Sequence, residues 1–315
     1  GTTTAITGWT SEGTVTVNPT VERLWSGALS GKFTIDDAGH KVNFSKGNLQ
    51  ATYDGSSWTW AFAENQWDYI GDNSKTSSGN GNINVTNTSP YVNMTDLTTA
   101  TVDLFGWVGA SSTWTDEARL YGITSSGVTN ATNGYGNSTS DFLKSDWGNL
   151  PISNGGGIKG SGWRTLTSAE WKYVFYSRSA STVSSTSDAR YAKAKVNGIY
   201  GVILFPDTYS HPVGVTAPTG INDVTDDTGW NSNDYSSDNW AKMEALGAVF
   251  LPAAGSRDGS TVLSAGSSGR YWSSSPYTSN ASYACYVYFS SGFLNPADNS
   301  SRYYGRSVRL VRVAE

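Results

Sequence analysis

Short runs of alternating apolar and polar residues, each closed by a cluster of Gly, Asn, Asp or Ser, recur along this chain and leave little room for helix. In the segment from Gly31 to Gly71, "KFTID" and "KVNFS" flank a turn containing Asp37 and Gly39, and "LQATY" and "WTWAFA" flank "DGSS". Runs of that length with a period of two read as strands, and the polar pieces between them as hairpin turns. "YAKAKVNG" and "YGVILFP" flank Gly198 and predict another hairpin, its second strand apolar on both faces. "GAVFLPAAG" predicts a further apolar strand. Residues 1–30 alternate only loosely (Thr14, Val15, Thr16, Val17) and read as an edge strand or a linker, with residues 31–315 as the domain. Residues 72–90 and 122–140 are polar, Gly-rich surface loops, and no repeat of solenoid or propeller length is present.

Two helices stand out against this background. Thr167-Ser168-Ala169-Glu170 spells a capping box, in which the Thr hydroxyl takes one free N–H and the Glu reaches back for another. Trp171, Val174 and Phe175 follow at helical spacing and predict one buried stripe, with Trp163 and Arg164 beside it as scaffold. "SSDNWAKMEALG" predicts a second helix from about Ser237, burying Trp240, Met243 and Leu246 and stopping at Gly247 in a left-handed cap. Sparse helices among many short strands make the fold class α+β.

Composition narrows the function. Hydrophobic residues are 37%, but 13 Trp supply much of the buried area, since each large ring brings a big apolar surface. The profile suits an exported, loop-rich protein. A net charge of −5 without a basic run argues against nucleic acid as a partner. A single cysteine, Cys285, excludes an internal disulfide and any multi-cysteine zinc site, and His40 and His211 are too few for a His-rich centre. No stretch approaches the length of an apolar membrane span. Gly1 in place of an initiating Met leaves an export signal open.

The carboxy-terminal block is the most informative. Residues 273–313 contain no Lys, Glu, Gln, Met or Trp, where the average over the whole chain would place about four of them. Tyr, Ser, Asn and Gly dominate instead, the mixture of a binding paratope: rigid amphipathic rings with adaptable hydrogen bonding. The plainer alternative is that secreted β-loops simply contain such residues. The five absent types shift the balance toward the paratope. Asn codons (AAC or AAT) with both adenines freely replaced and a fixed third pyrimidine encode none of Lys, Glu, Gln, Met, Trp or stop. Within "YACYVYF", Cys285, Val287 and Phe289 share one face and Tyr286, Tyr288 and Ser290 the other, so a half-buried strand with outward tyrosines is expected. "SSGF", "NPADNSS" and "YYGR" read as turns, and "SVRLVRV" as a closing strand.

Taken together, "VNFSKGNLQ", "WAFAENQWDYIG", "DLFGW", "GWRTLTSAEWKYVF", "RYAKAKVNG", "GVILFPD", "GAVFLPAAG", "YWSSS" and "GRSVRLVR" resemble the variable proteins of diversity-generating retroelements. These surface proteins of gut bacteria and their phages carry a C-type lectin fold of the formylglycine-generating-enzyme subtype. In that family a reverse transcriptase copies a template repeat with errors at adenines, and the copy overwrites the 3′ end of the gene. The resemblance implies a hypervariable ligand-binding or adhesin protein, extracellular, on a cell surface (with or without a lipid anchor) or a virion surface. Its variable region spans about 265–312. Its partner would be a protein or glycan on a cell or phage-host surface, with no nucleic acid and no membrane insertion.

The resemblance further implies that Trp272, Ser273, Ala284, Val287, Phe289, Pro296, Arg302, Gly305, Val308 and Leu310 are scaffold. Tyr277, Ser282, Tyr283, Tyr286, Tyr288, Ser290, Phe293, Asn295, Asp298, Asn299, Ser300, Ser301, Tyr303, Tyr304 and Arg306 are implied as one contiguous displayed patch, with Cys285 in either set. No cofactor is required, and a structural calcium held by loop carbonyls and Asp is compatible with relatives of this subtype.

Two other functions compete. "GWRTLTSAEWKYVF" also resembles the formylglycine-generating enzymes, whose chemistry rests on a copper-holding cysteine pair that one cysteine cannot form. Asp226 and Asp227 read as solvated loop residues. A calcium-dependent sugar lectin would need ligand motifs of which Asn295-Pro296-Ala297-Asp298 is only a faint echo. A pilus-tip setting is compatible with the variable-protein reading.

Overall fold

The computed structural model describes residues 26–71, 100–107, 146–258, 261–280, 282–302 and 304–315. Thr14–Val17, the loops 72–90 and 122–140, and Tyr303 lie outside the described residues. The chain is strand-rich with few helices, an α+β arrangement.

The predicted hairpins form where the turn chemistry places them. Ala28–Thr34 pairs antiparallel with Lys41–Ser45. This strand opens inside the stretch expected as linker or edge strand, and it lies at the edge of its sheet. Leu49–Tyr53 pairs with Trp58–Phe62, and the Asp54 carboxylate closes their turn by accepting from the Ser56 and Ser57 N–H groups, each at 2.8 Å. Tyr191–Val196 pairs with Ile199–Leu204, whose last four residues are buried and which continues onto Val249–Pro252. The closing strand, Leu310–Val313, is interior: it runs between Lys41–Ser45 and Arg164–Thr165. The last residues of the chain therefore hold the first sheet together.

Both helices start as their caps dictate. Thr167 Oγ1 accepts from Glu170 N at 3.1 Å while a Glu170 carboxylate oxygen accepts from Thr167 N at 2.7 Å. The Arg164 guanidinium then grips both oxygens of Glu170 at 2.7 and 2.8 Å, so the cap is itself held by a bidentate ion pair. Ser168–Lys172 is α-helical and Tyr173–Ser177 continues as a π-turn, with Trp171, Val174 and Phe175 fully buried. Trp163 is buried as expected and donates its indole N–H to Gly155 O at 2.8 Å.

The second helix is Ser237–Ala245, capped by Ser236. It buries Trp240 and Met243, and Gly247 ends it with φ +88°, the left-handed region that costs glycine least. Leu246 departs from expectation: it is 44% exposed. Six residues at 100° each carry it about 120° around the helix from Trp240, off the buried stripe.

No helix among the described residues is long and apolar enough to cross a membrane.

Loss of the cap and loss of the stripe should separate cleanly. Thr167→Ala is expected to destabilise by about 1 kcal/mol, and Trp171→Ala by about 3–5 kcal/mol. Urea unfolding of the two variants checks this, and equal losses would contradict the division between cap and core.

Candidate ligand-binding face

Three strands, Ser268–Pro276, Tyr283–Ser290 and Phe293–Ser301, make an antiparallel sheet with Tyr283–Ser290 in the middle. Ser290 pairs with Phe293, so Ser291 and Gly292 form the hairpin connection. "NPADNSS", expected as turn, is instead strand. Pro296 is accommodated at an irregularity, where the register slips between Tyr286–Asp298 and Tyr288–Asn295. A bulge on an edge strand is where a residue without a backbone N–H is tolerated.

The pleat sends successive side chains to opposite faces. Val287 and Phe289 enter a core cluster with Trp171, Phe175 and Tyr271. The Phe289 ring lies against Gly269 on the neighbouring strand, where a Cβ would sit 2.0 Å from the ring, so only glycine fits there. Ala284 and Tyr286 enter the other cluster, with Trp272, Val308 and Leu310. The middle strand is covered on both faces, not on one as expected.

All ten residues expected as scaffold (Trp272, Ser273, Ala284, Val287, Phe289, Pro296, Arg302, Gly305, Val308 and Leu310) are buried. Of those expected on display, Phe293 is exposed. Tyr277, Ser282, Tyr283, Tyr288, Ser290, Asn295, Asp298, Asn299, Ser300, Ser301 and Tyr304 are half-buried. Tyr286 and Arg306 are not displayed: they are 7% and 2% exposed. Arg306 packs its guanidinium on the rings of Tyr286 and Trp272, with Cζ 3.4 and 4.3 Å from their centroids, so each buries the other. Cys285 is half-buried, and burial raises its thiol pKa.

The rings among the displayed residues fall into two groups. Tyr286, Tyr288 and Phe293 run as a file of rings with centroids 6.5 and 5.4 Å apart. Asp298 joins them by accepting from Tyr286 Oη at 2.8 Å, and Arg270 lies over Tyr288 at 4.9 Å. Ser300, Tyr304 and Arg306 line a cleft against this file, together with Arg270 and Ser256, which the sequence reading did not single out. Tyr277 and Tyr283 make a second group, ring centroids 6.4 Å apart, at the other end of the middle strand. Tyr283 shares parity with Val287, so the pleat aims it to the opposite face.

Electrostatics differ across the face. Burial lowers the Arg306 guanidinium to about 10, still charged at neutral pH, and raises the Tyr286 phenol to about 12. Elsewhere, His40 Nδ1 lies 2.6 Å from an Asp36 carboxylate oxygen in an exposed turn, and Asp226 caps the backbone at Thr228 and Gly229. Among the described residues no group of three or more His, Cys, Asp or Glu side chains is placed to hold a metal ion.

Residues 208–311 match the model of a family described as a domain of unknown function (DUF8237). The matched span takes in the second helix, all three strands of the terminal sheet and the start of the closing strand. No curated protein and no solved structure matches the chain.

The inside–outside division gives a direct expectation. Phe289→Ala and Tyr286→Ala should each destabilise by about 3–5 kcal/mol, and Phe293→Ser should stay within about 0.5 kcal/mol. If Tyr286→Ala unfolds in urea at the same midpoint as Phe293→Ser, the burial of Tyr286 is wrong.

Proposed function

We propose that this chain is a ligand-binding surface protein whose terminal sheet is diversified by retroelement copying, built on a C-type lectin fold of the formylglycine-generating-enzyme subtype. One observation carries the reading. In the stretch that lacks Lys, Glu, Gln, Met and Trp, the residues implied as scaffold are all buried, and most of those implied as variable reach solvent. A copying mechanism that rewrites selected codons needs this separation, because a rewritten core position would open a cavity or bury an unpaired polar group.

The ligand would be a protein or glycan on a cell or phage-host surface, met outside the cell without covalent chemistry. Tyr277, Tyr283, Tyr288 and Phe293 provide rings that exclude water from a partner, and Ser, Asn and Asp around them provide adaptable hydrogen bonds. The reading requires no metal, and a structural calcium is not part of the binding step. A catalytic role of the formylglycine-generating type is disfavoured by chemistry: a single cysteine cannot supply the cysteine pair.

Natural alleles of the locus test this. Flanking DNA should carry a reverse transcriptase gene and a near-identical template repeat. Allelic differences should fall on the half-buried and exposed positions of 277–306 and never produce Lys, Glu or Trp there. Differences scattered through residues 41–250 would overturn the proposal.

A further inference from the structure

The Arg306 side chain is buried yet, among the described residues, makes no hydrogen bond. Its Nε and Nη1 are buried without a partner, and its faces are taken up by Tyr286 and Trp272, with Tyr304 at 5.5 Å. Other buried arginines of this chain direct their nitrogens to acceptors: Arg178 to Val174 O, Asp207, Arg190 O and Phe205 O, and Arg309 to Gln66, Asn48 and Phe250 O. Arg306 instead lines a cleft of about 220 Å³ with Arg270, Tyr286, Ser300, Tyr304 and Ser256.

Arg270 commits one nitrogen to Ser256 and Ser268, at 3.2 and 2.8 Å. The nearby acid, Asp298, acts on Arg306 through space and makes no ion pair with it. Asp298 accepts from Tyr286 Oη and from Asn299 N, and among the described residues no carboxylate lies within ion-pair distance of Arg270 or Arg306. Two like charges thus face one small polar recess, one of them desolvated and short of acceptors. A buried charge without a partner is destabilising, and an incoming anion supplies what it lacks.

We propose that this cleft receives the carboxylate of a single acidic side chain, Glu or Asp, of a protein partner. The inference rests on reading the terminal sheet as the ligand-binding face and names the chemistry of one contact within it. A carboxylate in the cleft can accept from Arg270 and from the end of the Arg306 guanidinium, and charge-assisted hydrogen bonds of this kind are the strong ones. Size favours a side-chain tip over a free ligand, since small-molecule sites usually begin near roughly 300 Å³. Tyr and Arg together at such a recess also match the residues that dominate protein–protein binding.

The test uses N-acetyl-L-glutamate as probe and N-acetyl-L-glutamine as control, at matched ionic strength, with Tm as readout. The acid should raise Tm in proportion to ln(1 + c/Kd), where c is its concentration, by about 2 °C at tenfold above its Kd, and the amide should not. Arg270→Gln, a half-buried position, should fold and bind the acid about tenfold more weakly. Equal responses to acid and amide, or an unchanged response in Arg270→Gln, would overturn the proposal. A tighter response to inorganic phosphate or to free N-acetylneuraminate would also overturn it, in favour of a phosphorylated or sialylated partner. Because the probe needs no natural ligand, a failure here leaves the diversified-face reading standing. Scattered alleles with an intact acid response would do the reverse.

Discussion

The terminal sheet is an excursion of the chain whose two ends are bound to each other by backbone hydrogen bonds. Trp272 N donates to Ser307 O at 3.0 Å and Ser307 N donates to Arg270 O at 3.0 Å, so the two ends of the 272–307 excursion are tied to each other. Immediately beyond Ser307 the chain becomes the interior strand of the first sheet, and Arg309 fixes it by reaching Gln66, at 2.6 Å, and Phe250 O. Residues inside the excursion divide between those that enter the core, such as Val287 and Phe289, and those that reach solvent, and only the second kind can change without opening a cavity.

The base does not free every position. Tyr286 reaches back from the middle strand to the same cluster that holds Trp272, Val308 and Leu310, and Arg306 is stacked between Tyr286 and Trp272. These two side chains join the excursion to its own anchor. The reachable surface is what remains on either side: the Tyr288 and Phe293 rings with the arginine cleft at one end, and the Tyr277–Tyr283 pair at the other. A partner touching both groups would have to follow the sheet around its edge strand, Phe293–Ser301.

Legibility in the sequence followed the range of the interactions. The Thr167 capping box, the Gly247 stop and the hairpins at Asp37–Gly39 and "DGSS" are fixed by residues within a few positions of one another, and all were readable. Alternation in "YACYVYF" was also readable, but it says only that two faces differ, not what covers each. Because tyrosine tolerates water, the alternation alone points the tyrosine face to solvent. It is covered at Tyr286 because Trp272 and Val308, close in space but distant along the chain, supply a second apolar cluster there. Strand "FLNPADNSS" was hidden by its Pro and Asn, which mimic a turn; the bulge that admits Pro296 depends on a neighbouring strand. Leu246 was lost to simple arithmetic, since three residues spaced at i, i+3 and i+6 do not stay on one helical face.

The burial of so many guanidinium groups has a common physical basis. Arg178 lies over Phe33, Arg302 over Trp107, Arg306 over Trp272 and Arg312 over Trp163, each Cζ between 4.3 and 5.4 Å from the ring centroid. A chain rich in Trp and with modest acid content can shelter a cation against an electron-rich face and leave the N–H edge for carbonyl oxygens. Arg178 and Arg309 use that edge on backbone and side-chain acceptors, which locks neighbouring strands together. Arg306 has the ring half of the arrangement without the acceptor half. A guanidinium held flat by aromatic neighbours is already oriented, so a carboxylate entering the cleft would lose little in ordering it. The feature that makes Arg306 unsuitable as a freely varied surface residue is therefore the same one that makes it a preorganised contact.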